Sequence, residues 1–248
     1  MLLPAQKARG GAVPVLLLAQ GDVQAKDLLR NCIQARYGLR PPAFESLAIQ
    51  FKGRVRAKVG PVTMWVPVDA SGRFNFPVAM RWDFIVKAVG VQIGSGSEAF
   101  DGETYRFTRS GKSPNLNNEP TVVHSLQSRL WAIAALLLTP LGDHFVKLET
   151  SGEAELIAVN TQIDSKVKLH LRPNSSVEYV EVHCLNPDTD KNAIFTLRLS
   201  EELLAMDDLI VPAKICAFWD NEPYFEIEPV TADANSEIDD AVFRLEAE

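Results

Sequence analysis

Cysteine is scarce in this chain of 248 residues, which contains three. Cys32, Cys184 and Cys216 are odd in number and far apart, so they predict neither a disulfide framework nor a metal-binding motif. We interpret each as a small buried apolar residue. The four histidines are not spaced like metal ligands either, with one another or with the cysteines. The sequence therefore predicts no metal site and no cofactor.

Signatures of common enzyme classes are missing as well. A Gly-x-Ser-x-Gly nucleophile motif does not occur. The Gly-Ser stretch at residues 94–97 and the Gly-Lys-Ser at residues 111–113 both lack the spacing of a phosphate-binding loop. No catalytic residue is predicted, and hydrolysis and nucleotide binding are disfavoured.

Positive charge is also in short supply, which limits the partners. Lysine and arginine total 25 against 32 acidic residues, and the net charge of −7 disfavours nucleic-acid binding. The apolar run at residues 10–19 is interrupted by Pro14 and is far too short to span a bilayer. We expect at most peripheral contact with a membrane.

The amino-terminal segment, residues 1–21, has two interpretations. Lys7 and Arg9 precede the short apolar run, and Val23 and Ala25 suit the −3 and −1 positions of a cleavage site. The segment is thus either a degenerate secretory signal or a disordered arm. Residues 22–248 are predicted to form a single domain, since 46% hydrophobic residues suffice for a large core.

The strongest positive signal is an uninterrupted alternation of apolar and polar residues over positions 47–59. Leu47, Ile49 and Phe51 begin one row, while Lys52 and Arg54 belong to the other. A period of two over thirteen residues, with one cationic row, predicts a half-buried antiparallel strand. A strand this long indicates a large curved sheet.

Short strands with tight turns follow, which predicts an antiparallel meander interrupted by two helices. The helices are predicted at residues 22–37 and 122–138, the second with an apolar band wider than one face. We predict a turn at residues 69–72, a strand or flexible loop at 90–96, and a short helical turn at 200–206.

The apolar and aromatic residues on one side of these elements form the candidate ligand-binding set. Taken singly, each is explained by an ordinary core, but a curved sheet with few helices can leave an apolar cavity. An acyl chain in such a cavity gains about 0.8 kcal/mol per buried methylene. The predicted cavity residues are Met64, Phe74, Trp82, Phe84, Trp131, Leu137 and Leu138.

The carboxyl-terminal part of the chain resembles the ending of bacterial lipoprotein-carrier (LolA/LolB-like) superfamily proteins. The resemblance rests on a strand with Val-Pro at residues 208–214, on residues 227–230, and on an N..I.D..F segment at 235–243. Residues 100–104 resemble the mid-sheet turn of that superfamily, and residues 28–53 its opening helix and strand.

The resemblance implies a mainly β (α+β) fold, an incomplete antiparallel β-barrel of about eleven strands with helices lidding the concave face. It further implies noncatalytic binding of lipid, acyl chains or lipoprotein, a location in the periplasm or cell envelope, and a possible envelope partner protein. Carriers of this kind use a basic residue at the cavity mouth, for which Arg54, Arg56 and Arg73 are the candidates.

Two other functions stay open at this point, because a fold does not fix a function. The same fold supports a cofactor-independent small-molecule enzyme of the violacein pigment pathway, which polar groups such as His170, Glu178 or Tyr179 inside the concavity would favour. An adaptor with a fully packed core is the third possibility. A cytoplasmic location is the alternative to the envelope.

Overall fold

The computed structural model describes residues 17–59, 61–88, 91–109, 112–206 and 209–245, and consists mainly of β-strands. Two α-helices are described, α1 (Val23–Tyr37) and α2 (Pro120–Leu137), with 3₁₀ turns at Thr139–Gly142 and Asp240–Arg244. The strands are β1 (Gln20–Gly21), β2 (Ser46–Val59), β3 (Val62–Asn75), β4 (Ala79–Ala88), β5 (Val91–Phe100), β6 (Tyr105–Arg109), β7 (Asn115–Asn117), β8 (Val146–Thr150), β9 (Glu155–Asn160), β10 (Ser165–Leu171), β11 (Val177–Asn186), β12 (Lys191–Leu199), β13 (Leu203–Met206), β14 (Leu209–Pro212), β15 (Ile215–Trp219) and β16 (Glu222–Ala234).

Fourteen of the described strands form one open sheet in the order β1-β8-β9-β10-β11-β12-β15-β16-β2-β3-β4-β5-β6-β7. All neighbours are antiparallel except β1 and β8, which are parallel. The sheet contains two meanders, β2–β7 and β8–β12. Strands β15 and β16 lie between them, with β15 paired to β12 and β16 paired to β2. The predicted mainly β, incomplete antiparallel barrel is confirmed, with fourteen strands in place of about eleven because short edge strands such as β1 and β7 are included.

The alternation in β2 is confirmed. Leu47, Ile49 and Phe51 are buried, whereas Lys52 and Arg54 are exposed. We call the face of the sheet with Leu47 the inner face, because its residues share one apolar core with both helices, and the opposite face the outer face. Residues directly paired across neighbouring strands lie on the same face, so the register assigns a face to the neighbours of each inner residue.

Helix α1 begins and ends as its sequence predicts. The Asp22 side chain caps it by accepting a hydrogen bond from the Ala25 amide at 2.7 Å, and Gly38 follows its last residue with a φ of 65°. Leu29 and Ile33 bury its apolar stripe. The helix contacts β8 and β9 on the inner face.

Helix α2 crosses the inner face over β10 and β11. The centre of its wide apolar band, which includes Leu126, Leu130 and Trp131, is buried, and Ile133 is half-buried. The helix is followed by Leu138, whose φ of 68° is positive and ends the helical conformation. No helix among the residues that the structure describes is both long and apolar enough to cross a membrane.

Two local predictions are wrong. Residues 69–72 do not form a turn but continue β3, because each of them pairs with β2 on one side and β4 on the other. Residues 203–206 form strand β13, not a helical turn, because they pair with β14. In both places sheet pairing overrides the local preference, which is for a turn in Asp-Ala-Ser-Gly at 69–72 and for a helix in Leu-Leu-Ala-Met at 203–206.

The predicted amino-terminal arm or signal segment lies mostly outside the described residues, since the structure is described from residue 17. At the end of that segment, β1 pairs with β8, and Ala19 is buried. The division into residues 1–21 and a single domain at 22–248 stays a prediction.

Candidate functional site

The space between α2 and the sheet is filled with side chains. The Trp131 indole nitrogen donates to the Ala158 carbonyl at 3.2 Å, and its ring packs 6.2 Å from that of Phe145. Leu137 and Leu138 are also buried, and the Tyr37 hydroxyl donates to the Leu137 carbonyl at 3.1 Å. Three predicted cavity residues, Trp131, Leu137 and Leu138, therefore lie in the packed core beneath the helices.

Two other predicted residues, Phe74 and Trp82, meet in an aromatic cluster on the inner face of β3 and β4. Their rings are 5.2 Å apart and nearly perpendicular, and Phe51 lies 5.7 Å from Trp82. Gly72 lies directly opposite Trp82 in the register and two residues before Phe74 on the same strand. A Cβ at position 72 would be 2.7 Å from the Phe74 ring. The close approach of the two rings therefore requires glycine at position 72.

Beyond the aromatic cluster, the inner face stays apolar and ends in an exposed residue. Val68 and Val66 on β3 are buried, Phe84 on β4 is half-buried, and Met64 is 49% exposed. We call Met64, Val66, Val68 and Phe84 the open inner wall. The structure thus groups Phe74 with Trp82, and it places Phe84 and Met64 farther along the same face.

An interior polar cluster, formed by Glu98, Tyr105, Arg129 and Tyr224, was not foreseen from the sequence. Glu98 is on the inner face of β5, since it pairs with Trp82. Burial raises the pKa of Tyr105, the Glu98 carboxylate adds to the rise, and Arg129 opposes it. Burial also raises the pKa of Tyr224, with the same two charges acting in the same directions.

Arg129, which belongs to α2, is the unusual member of this cluster. Its Nε atom is buried and has no hydrogen-bond partner within the described part of the chain. Burying an unpaired donor costs roughly 1–3 kcal/mol. The cluster therefore places an arginine with an unpaired Nε atom, a carboxylate and two phenols on the inner face.

The three predicted cavity-mouth arginines are all on the outer row of the sheet. Arg54 forms a 2.8 Å ion pair with Glu226, and its guanidinium lies 4.6 Å from the Trp65 ring. Arg56 pairs across the strands with Trp65, and Arg73 forms a 3.1 Å ion pair with Asp83. Their role at a cavity mouth stays a prediction.

The outer face contains a half-open pocket of about 860 Å³, which we call the outer-face pocket. Its floor crosses five neighbouring strands, because Gln50, Ser71, Asp83, Ser97 and Thr108 occupy one continuous register row. The row beside it contributes Lys52, Asp69, Ile85 and Ser95. The inner-row residues Phe51, Ala70, Phe84 and Gly96 also line it, and its rim is formed by Arg81, Lys112, Ser113, Pro114, Val230 and Leu245.

Asp83 organises the charges in this pocket. Its carboxylate accepts hydrogen bonds from Arg81 Nη2 at 2.9 Å and from the Ser97 hydroxyl at 2.6 Å, and it pairs with Arg73 at 3.1 Å. Three donors around one carboxylate hold its oxygens in fixed positions. Its negative charge is therefore compensated inside the pocket.

The polar residues predicted for a catalytic concavity are elsewhere. His170 and Tyr179 pair across β10 and β11 on the outer face, with ring centroids 4.0 Å apart. His170 contacts Glu155 and Glu181, each at 3.3 Å, while Glu178 is exposed. Within the described residues, no group of three or more His, Cys, Asp or Glu side chains could hold a metal ion.

No known family model and no curated protein sequence matches this chain. Its fold is similar to that of solved structures. A LolA superfamily protein from Nitrosomonas europaea superposes with a TM-score of 0.50 at 12% identity, covering 90% of this chain and 98% of that one. The predicted resemblance to the lipoprotein-carrier superfamily is therefore confirmed at the level of the fold.

Two other solved structures are more distant. A domain assigned to outer membrane lipoprotein sorting, from Vibrio parahaemolyticus, has a TM-score of 0.48 at 9% identity, covering 88% of this chain and 97% of that one. A DUF1329 family protein from Desulfovibrio piger has a TM-score of 0.45 at 8% identity, covering 88% and 95%.

Proposed function

We propose that this protein binds an acyl chain, of a lipid or of an acylated protein, against the open inner wall of its half-barrel. The observation that carries the proposal is the apolar row along β3, in which buried Val68 and Val66 are followed by half-exposed Met64. An apolar strip that begins in the core and ends in solvent suits a linear apolar ligand. The LolA-like fold supports the same function.

The proposed binding surface includes only some of the predicted cavity residues. Trp131, Leu137 and Leu138 are core residues beneath the helices, whereas Met64 and Phe84 line the binding surface, with Phe74 and Trp82 at its closed end. The role is noncatalytic carriage or presentation of the chain. The proposed location is the periplasm or cell envelope, with lipid or acylated protein as partner.

Chain length is the first test. Each added methylene that enters the site contributes about 0.8 kcal/mol, which strengthens binding up to roughly fourfold. Saturated fatty acids of ten, twelve and fourteen carbons should therefore displace a fluorescent fatty acid with stepwise increasing affinity. Equal affinity for all three lengths would contradict an apolar chain site.

A pair of matched variants locates the site. Met64→Asp puts a charge on the open inner wall at an exposed position, where folding tolerates it, and should weaken probe binding at least tenfold. Leu116→Asp is the control, because Leu116 is 67% exposed but pairs with Arg106 on the outer face. An equal loss of probe binding in the two variants would contradict the assignment of the site to the open inner wall.

The interior polar cluster supports a second candidate, a cofactor-independent enzyme acting on a small polar or aromatic molecule. Glu98, Arg129 and two tyrosines converge beside an aromatic wall, as such an enzyme requires. Native mass spectrometry distinguishes the two candidates. A bound aromatic compound that Glu98→Gln abolishes, without loss of fatty-acid binding, supports the enzyme; bound lipid alone supports carriage.

A further inference from the structure

The outer-face pocket differs in charge from the rest of the protein. Two of its lining residues are carboxylates and three are cationic, and two further cations form ion pairs with those carboxylates. These residues are Asp69, Asp83, Lys52, Arg81, Lys112, Arg73 and Lys87. Glu228, which lies opposite Lys52 in the register of β16 and β2, is a third nearby anion, so five cations and three anions give a local excess of two positive charges in a chain with a net charge of −7. Such a pocket attracts anions.

Both carboxylates of the pocket form ion pairs with neighbouring cations, whereas two of its lysines form none among the described residues. Asp83 is held by Arg73, Arg81 and Ser97, and Asp69 forms an ion pair with Lys87. In the part of the chain that the structure describes, neither Lys52 nor Lys112 has a carboxylate within 4.0 Å. The Lys52 and Lys112 ammonium groups belong to opposite sides of the pocket, on β2 and after β6.

Between the lysines the pocket presents groups that bind hydroxyls. Small polar residues on adjacent strands give the floor its depth, because larger side chains at these positions would fill it. The uncharged polar lining residues are Gln50, Ser71, Ser95, Ser97, Thr108 and Ser113. Hydroxyls and amides donate and accept hydrogen bonds, so they match a ligand that itself carries several hydroxyl groups.

Local backbone irregularity contributes to the rim. β16 has a bulge between Pro229 and Thr231, and the extra residue, Val230, lines the pocket. Bulges re-aim side chains and are frequent beside functional sites. At another edge, the 3₁₀ turn before Leu245 contacts β4 and β5, and Arg81 Nη1 donates to the Val242 carbonyl at 3.1 Å.

We propose that the outer-face pocket binds a phosphorylated polyol, either as a free sugar phosphate or as the headgroup of a lipid. Lys52 and Lys112 pair with the phosphate, and the serine, threonine and glutamine side chains bind the hydroxyls. The volume of about 860 Å³ is within the range of small-molecule sites. This site lies on the opposite face of the sheet from the acyl-chain site, and Phe84, a residue of the open inner wall, borders both.

The test uses glucose 6-phosphate and glucose as probes in isothermal titration calorimetry. The wild-type protein should bind the phosphate ester and bind glucose at least fivefold more weakly. Lys52→Gln and Lys112→Gln should each weaken binding of the ester about tenfold, since a hydrogen bond to a charged group is lost. Lys166→Gln and Lys191→Gln, two exposed lysines outside the pocket lining, should change nothing.

Sedimentation with vesicles separates the two sources of the ligand. Binding to phosphatidylglycerol but not phosphatidylcholine vesicles, lost in Lys52→Gln and kept in Lys191→Gln, assigns the site to a lipid headgroup. Binding of free glucose 6-phosphate with the same variant pattern assigns it to a soluble ester. Absence of both, or equal losses in pocket and control variants, overturns the proposal. Met64→Asp should leave both vesicle binding and glucose 6-phosphate binding unchanged. Failure of the polyol-phosphate proposal can therefore be distinguished from failure of the acyl-chain proposal.

Discussion

Replacing Gly72 by alanine tests the packing of the inner face at a position where the new methyl group would strike two aromatic rings. A Cβ at position 72 would be 2.7 Å and 2.9 Å from two atoms of the Phe74 ring, and 3.2 Å from Trp82. Phe74 is 1% exposed, so its ring cannot move aside into solvent. Overpacking of this kind costs about 1–3 kcal/mol in the free energy of unfolding.

Gly94→Ala is the matched control. Gly94 is also a strand glycine, paired with Val86 on the adjoining strand, but a Cβ there would meet nothing within 4 Å. Removing a glycine without strain stabilises a protein by about 0.4–1 kcal/mol through the unfolded state. Gly72→Ala should therefore lower the free energy of unfolding and Gly94→Ala should raise it. The free energies of unfolding of the two variants should differ by roughly 1.5–4 kcal/mol.

Urea unfolding followed by tryptophan fluorescence measures this difference. A double-mutant cycle identifies the cause, because Phe74→Leu removes the ring that the new methyl group would strike. In that background the added cost of Gly72→Ala should fall below about 1 kcal/mol. Equal stabilities of Gly72→Ala and Gly94→Ala, or a cost that Phe74→Leu leaves unchanged, would refute the described packing.

Three further outcomes are expected. Trp131→Phe should lower the free energy of unfolding by about 1–3 kcal/mol in urea titrations, because the Ala158 carbonyl loses its buried donor; an unchanged midpoint would contradict this contact. For Asp101, burial opposes ionisation, but hydrogen bonds from two backbone amides and Arg106 lower the carboxyl pKa overall. Its ionised form thus stabilises the fold above pH 4 or so, and this contribution is lost as the pH falls through the lowered pKa, so thermal melts of Asp101→Asn and wild type should converge in acid. Burial raises the pKa of Cys32 to about 12, so iodoacetamide at pH 8 should label Cys32 only after unfolding; rapid labelling of the native protein would show that the thiol is accessible.

The sequence predicts the architecture well wherever a pattern is periodic. The alternation in β2 and the caps of α1 are local signals, and both are confirmed. Residues 69–72 were mispredicted because Asp, Ala, Ser and Gly together are typical of a turn, whereas here they are the small, polar section of a long strand.

The outer-face pocket could not be predicted from local sequence signals of this kind. Its floor includes Ser71 from the mispredicted turn, Ser95 from the segment 90–96 that is predicted as a strand or a flexible loop, and Ser97 just after that segment. The pocket arises from register across five strands and from the folding back of the chain near Leu245. Neither is encoded in local sequence. The interior polar cluster is equally non-local, since its members belong to four separate elements.

The most direct test of the central claim, acyl-chain binding on the inner face, is paramagnetic broadening of amide NMR signals by a spin-labelled fatty acid. The account predicts that the amides of Val66, Val68 and Phe84 lose intensity, while those of Lys166 and His170 on the outer face do not. Broadening confined to outer-face residues, or no broadening at saturating fatty acid, would contradict it.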